Sequence, residues 1–268
     1  MMHLLHSEIF RLRKRPQAWI LALIMVLAVG AFYGSLAIAA TVMSDPEDTK
    51  ESLVLPNIFE NGMQIVTLVG YILTVVLASG LIGNEYSWNT IRPLVARSRS
   101  RSALLSAKWI TVFLYSSCLF LVGLVTTIAF SSVSSAVVGA FEGVDAALLA
   151  DWVLGFARVL VSQLPYVALA FSLALITRSN AVGIAVGIGM GFLEPAIWGL
   201  LGLVTDAFDS VRKFGLEYPS TLLFNMNSEM EDVSTGEAWR AVATLAVWVV
   251  ILVSATYYFF NKRDITSG

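Results

Sequence analysis

The sequence predicts an all-α polytopic membrane protein with six transmembrane helices and both termini on the cytoplasmic side. Three observations carry this. Of 268 residues, 57% are hydrophobic and only 13% charged, against about 25% charged in a soluble domain. Six apolar runs, Trp19–Val42, Gly62–Gly83, Trp109–Phe130, Phe156–Ile176, Ala181–Leu203 and Ala238–Phe260, approach or exceed the ~20 residues that cross hydrocarbon as helix. Third, Lys and Arg gather on alternate sides. With the N-terminus inside, the inner segments take Arg11, Arg13, Lys14, Arg15, Arg92, Arg97, Arg99, Arg101, Lys108, Arg178, Lys262 and Arg263, twelve of the 17 cations.

The runs together leave no stretch long enough for a sizeable soluble catalytic domain, so residues 1–268 form one membrane domain. A β-barrel would show short alternating segments, whereas these runs are continuous.

Residues 1–18 mix apolar and basic positions. Leu4, Leu5, Ile9 and Leu12 share a broad helical face, which suits a helix lying in the membrane interface. His3 and His6 lack companion ligand residues and read as solvent-facing. The first apolar run is longer than a signal-peptide core and more spans follow, which favours an uncleaved anchor. Cys118, the single cysteine, excludes an intramolecular disulfide.

Between the second and third spans, residues 84–108 form a basic loop. Trp88, Ile91 and Val95 recur at helical spacing, giving a short apolar stripe that lies on the membrane or faces a cytoplasmic partner. The outer connection from Ser131 to Asp151 is rich in Ser, Ala and Gly and blurs the neighbouring span ends.

Gly183, Gly187 and Gly191 line one face of the fifth span, which permits close helix packing. Glu194 and Pro195 follow. Either Glu194 lines a path or outer gate at membrane depth, or the span ends there and Pro195 starts another turn. Pro165 is a candidate kink in the fourth span. The segment 205–237 is the longest on the outer side, and part of it is amphipathic enough to rest on the membrane or dip into it. No P-loop, HExxH or nucleophile-elbow motif occurs, so the chain shows no catalytic residues and no cofactor or metal site of its own.

The basic loop resembles the first cytoplasmic loop of ABC-2-type transporter permeases. Glu85, Thr90, Ile91, Arg92, Leu94, Arg97, Arg101, Leu104, Leu105, Ala107 and Lys108 match its pattern, which runs from an acidic residue through a Gly-Thr and a basic stretch to Ala-Lys. Asn89 stands where the pattern has glycine, and Ser98 where it has proline. Phe260, Lys262, Arg263, Asp264 and Ile265 resemble the family's C-terminal ending.

The resemblance implies a short cytoplasmic coupling helix in residues 84–108, with Glu85, Trp88, Ile91, Arg92, Leu94, Arg97, Arg101 and Lys108 at or near a partner contact. Partners implied are cytoplasmic ATPase subunits and a second permease subunit, alike or different. ATP and Mg²⁺ would belong to the ATPase. Membrane lipids are further partners, and no nucleic acid is expected. Export across the cytoplasmic membrane of a prokaryote is the implied activity, with cargo open. Two rivals remain at this point: a non-transport membrane scaffold or sensor, and a gradient-driven transporter.

Overall fold

The computed structural model describes residues 2–42, 57–98, 100–138, 146–205, 207–226 and 233–262, and every regular element among them is helical. In order these are α1 (Met2–Lys14), α2 (Pro16–Val42), α3 (Asn57–Ser87), α4 (Ile91–Arg97) and α5 (Arg101–Val138). They continue as α6 (Ala146–Thr177), α7 (Asn180–Gly202), α8 (Ala207–Arg212), α9 (Glu217–Asn225) and α10 (Thr235–Lys262). Six of them, α2, α3, α5, α6, α7 and α10, are long and apolar enough to cross a membrane. Each carries one of the apolar runs. The C-terminal Arg263, Asp264 and Ile265 lie outside the described residues.

Helices α3, α5, α6 and α10 overrun their apolar runs at both ends. The serine-rich stretch expected to loop out after the third span continues as helix to Val138. Ser131 and Ser132 donate their hydroxyls to the Ile128 carbonyl at 3.1 and 2.7 Å. Serines bonded back in this way need no water and are tolerated within a helix.

Helices α3 and α6 form the centre, with most of their spans buried, while little of α2, α7 and α10 is buried. Val66, Val75 and Leu77 of α3, Leu104 and Phe120 of α5, and Phe171 of α6 are sealed inside. Lipid tails are as apolar as these side chains, so close contact and interhelical hydrogen bonds, rather than escape from water, hold the bundle. Tyr33 donates to the Ile58 carbonyl at 3.0 Å, Thr256 to Ser172 Oγ at 2.7 Å, and Asn180 to Asn84 Oδ1 at 3.0 Å.

The glycine row of α7 meets α3 and α6 within the same chain. A Cβ on Gly183 would stand 2.7 Å from the Ala170 carbonyl oxygen, and one on Gly187 would stand 2.7 Å from a Val75 methyl. At Gly191 the neighbour is the Tyr71 ring. No larger residue fits at these positions without displacing a neighbour.

Six spans return the chain to the end at which it started. Arg101, at the start of α5, donates to the Asn261 carbonyl at the end of α10 at 3.3 Å. Helix α1 packs on α5 at this same end.

Candidate functional site

The basic loop between α3 and α5 begins with a helix stop. Asn89 adopts a φ of 53°, the left-handed region. Its N–H bonds the Tyr86 carbonyl at 3.1 Å, and the Thr90 N–H reaches back to the Glu85 carbonyl at 2.9 Å. This pair of bonds is a Schellman motif, whose left-handed residue is usually glycine and next most often asparagine. The substitution of Asn89 for the glycine of the resembled pattern therefore keeps the turn. Ser98, standing where the pattern has proline, has φ −82° and ψ 147°. Proline favours that same backbone.

Beyond the turn, α4 lies with its apolar side inward. Ile91 is 3% exposed and joins the main core, with Leu94 and Val95 packed partly against it. Pro93 sits in the first helical turn, where its missing N–H costs nothing. The outward side carries Arg92, and Trp88 precedes the helix with 61% of its surface exposed. The Arg15 guanidinium lies over the Trp88 ring at 5.7 Å. Of the three apolar residues implied as a groove filler, Trp88 projects, Leu94 is half-buried, and Ile91 belongs to the chain's own interior. Arg97 closes α4, Arg101 opens α5, and Arg99 lies outside the described residues.

Glu85 and Lys108, the first and last residues of the matched pattern, do not reach the surface. Lys108 Nζ lies 2.6 Å from Glu85 Oε1 and 3.4 Å from Glu8 Oε2, and all three side chains are at most 2% exposed. Arg11 pairs with Glu8 and lies 3.8 Å from Glu85, while Arg15 approaches Glu85 at 3.7 Å. Five charged groups thus tie α1, α3 and α5 together directly beneath the turn that presents Trp88 and Arg92. Buried charges are tolerated where they are paired in this way.

At the opposite end of the bundle, α7 runs through Pro195 without stopping and ends at Gly202. Glu194 is 7% exposed. Its Oε1 accepts the Leu216 N–H at 2.8 Å and the Trp198 indole N–H at 3.2 Å. A carboxylate is a favourable acceptor for the free N–H groups of a helix start, here α9. Glu194 stands eight residues, about 12 Å of rise, before the end of α7. The chain after α7 therefore folds back along the bundle. Arg212 and Glu217 brace this return with two bonds of 2.9 Å each, and the Glu217 carboxylate raises the Arg212 pKa further. Glu194 thus clasps the returning chain by accepting the Leu216 N–H. Asp206 and residues 227–232 of the segment 205–237 lie outside the described residues.

Sequence reasoning singled out Glu85 and Lys108 but not Glu8, Arg11 or Arg15 as their partners. Glu8 was legible only as the lone acid of a basic helix. Its facing position with Leu5 and Leu12, four residues apart or fewer, is the signal that marks it as buried.

A family model described as ABC-2 family transporter protein matches residues 4–194, a stretch holding the whole ion cluster and the turn above it. An uncharacterized protein of Bacillus subtilis (strain 168), YhcI, is 22% identical over 219 residues, 75% of this chain and 66% of that protein. The chain thus spans just under two thirds of that relative's length.

Proposed function

Because the chain belongs to the ABC-2 family of transporter proteins, we propose that it is the membrane-spanning permease subunit of an ATP-driven transporter working as an exporter. In this reading two membrane subunits join two separate ATP-binding subunits, which supply ATP and Mg²⁺. The chain itself performs no chemistry. The end of the bundle holding both described chain ends is the cytoplasmic side, which the concentration of Lys and Arg there supports.

The observation that carries the reading is the position of Trp88 and Arg92 outside a charged cluster that locks three helices together. A partner gripping the exposed tryptophan and arginine acts on α3 through the Schellman turn and on α1 and α5 through Glu85 and Lys108. Movement of the partner on binding or hydrolysing ATP is then passed to the membrane helices as rigid-body displacement. The buried pairs suit this role because they resist separation: opening the cluster would strand charge in an apolar interior.

The test is to co-express the chain with a candidate P-loop ATPase, purify the complex in lipid nanodiscs, and measure ATP hydrolysis with and without the permease. A stable complex whose hydrolysis depends on the membrane subunit supports the reading. Failure of every P-loop ATPase encoded in the same genome to form a complex sinks it and favours a scaffold.

A further inference from the structure

At the end of the bundle away from the chain ends, α3, α6 and α9 form an open cleft of about 430 Å³. Gln64 and Thr67 of α3, Ser162 and Gln163 of α6, and Ser220 and Thr221 of α9 line it. Among them Tyr71 and Tyr166 pack edge to face, 5.1 Å between ring centres. Among the described residues, none that lines the cleft carries a formal charge. The nearby Glu217 carboxylate is held by both arms of Arg212.

Most hydroxyl donors of this cleft are already committed, Thr221 to Glu217 Oε1 at 3.4 Å among them. Thr67 donates to the Met63 carbonyl at 2.8 Å, Ser162 to Val159 at 2.9 Å and Ser220 to Ser162 at 3.1 Å, while Tyr71 donates to Gly187. The Tyr71 oxygen already accepts the Gly191 N–H at 3.0 Å, while the Thr67, Ser162 and Ser220 oxygens keep lone pairs to accept. Pro195 has no N–H to offer the Gly191 carbonyl one helical turn earlier, and Gly191 also lines the cleft. Gln163 is 8% exposed and its Oε1 has no hydrogen-bond partner. The amide nitrogens of Gln64 and Gln163 add donors. In a bundle of membrane-crossing helices, a buried polar group such as Gln163 Oε1 costs free energy unless something polar meets it.

We propose that the cleft binds the uncharged, hydroxyl-bearing head group of an amphiphile. A hydroxyl both donates and accepts, which matches a wall of free lone pairs with two amides. An anionic head group would find no cation, and a cationic one no free carboxylate, among the described lining residues. Ile65, Leu68 and Phe224 border the same cleft, and Leu68 is 48% exposed. The apolar body of the ligand lies along them. The volume suits a small head group. The described lining residues belong to one chain, so the inference goes beyond the permease reading and does not depend on it.

The test uses the purified chain in phosphatidylcholine nanodiscs and tritiated octyl β-glucoside below its micellar concentration. The expected result is saturable binding, competed by unlabelled octyl β-glucoside but not by octyl sulfate or octyltrimethylammonium. Gln163→Leu and Gln64→Leu should each weaken binding by about tenfold, and Lys213→Ala, outside the cleft, should leave it unchanged. Gln64 is exposed, so Gln64→Leu decides the matter if Gln163→Leu does not fold. Equal partitioning of all three amphiphiles, or wild-type binding by Gln64→Leu, would overturn the proposal. Either result leaves the ATPase test untouched, so failure of the two readings can be told apart.

Discussion

Lys108 Nζ lies 2.6 Å from Glu85 Oε1, and neither side chain reaches solvent. The two residues bracket the basic stretch between α3 and α5, yet they face inward and join these two helices. A surface pair of this kind would contribute little. Here each charge depends on the other, and Glu8 completes the arrangement from α1.

Lys108→Ala should therefore cost roughly 3–5 kcal/mol, the penalty for leaving buried carboxylates uncompensated. The thermal midpoint of the nanodisc-embedded protein reports it. Pairing Lys108→Met with Glu85→Gln should recover part of the loss, because no unmatched charge then remains. A double variant less stable than the single one would contradict the pairing.

Asn89 supplies a second, local test. Asn89→Gly keeps the left-handed turn and should leave stability within a few tenths of a kcal/mol. Asn89→Val places a β-branched residue at φ 53° and should lose on the order of 1–2 kcal/mol. Thermal unfolding of the three proteins under one lipid condition makes the comparison.

In α7, Gly187→Leu should disrupt packing against Val75 and Ala170, with a cost of about 1–3 kcal/mol or more. A Cβ on Gly199, by contrast, would meet nothing within 4 Å. Gly199→Ala should be neutral or slightly stabilising. If both substitutions behave alike, the glycine row is not a packing face.

Glu194→Ala should free the start of α9, whereas Glu194→Gln keeps an acceptor oxygen for the Leu216 N–H. Hydrogen exchange of the 207–226 amides measures this directly. The alanine variant should exchange about tenfold faster or more, and the glutamine variant should stay near wild type. Unchanged exchange in Glu194→Ala would remove the clasp from the account.

The spans were legible because their evidence is local and redundant: each run announces its own length. The turn at Asn89 was legible in part, since a matched glycine position carries a backbone requirement that asparagine also meets. The ion cluster was not. Glu8 and Lys108 stand 100 residues apart, and no periodicity links a charge in α1 to one in α5. The inward rotation of α4 was hidden for a related reason. Trp88, Ile91 and Val95 look equivalent by spacing, but the helix starts only at Ile91, so Trp88 belongs to the turn and points elsewhere. Glu194 drew notice as a carboxylate within an apolar run, while its partner at Leu216 depends on a chain reversal that no residue pattern specifies.

The central claim is that Trp88 and Arg92 are the grip through which an ATP-binding partner moves the membrane helices. The direct measurement is ATP hydrolysis by the reconstituted complex carrying Trp88→Ala or Arg92→Glu, alongside the thermal midpoint of the permease alone. The account predicts that membrane-subunit-dependent hydrolysis falls by about tenfold or more, as for loss of an interface anchor, with the midpoint unchanged. Wild-type hydrolysis in both variants, or a loss of activity that merely tracks a loss of stability, would contradict it.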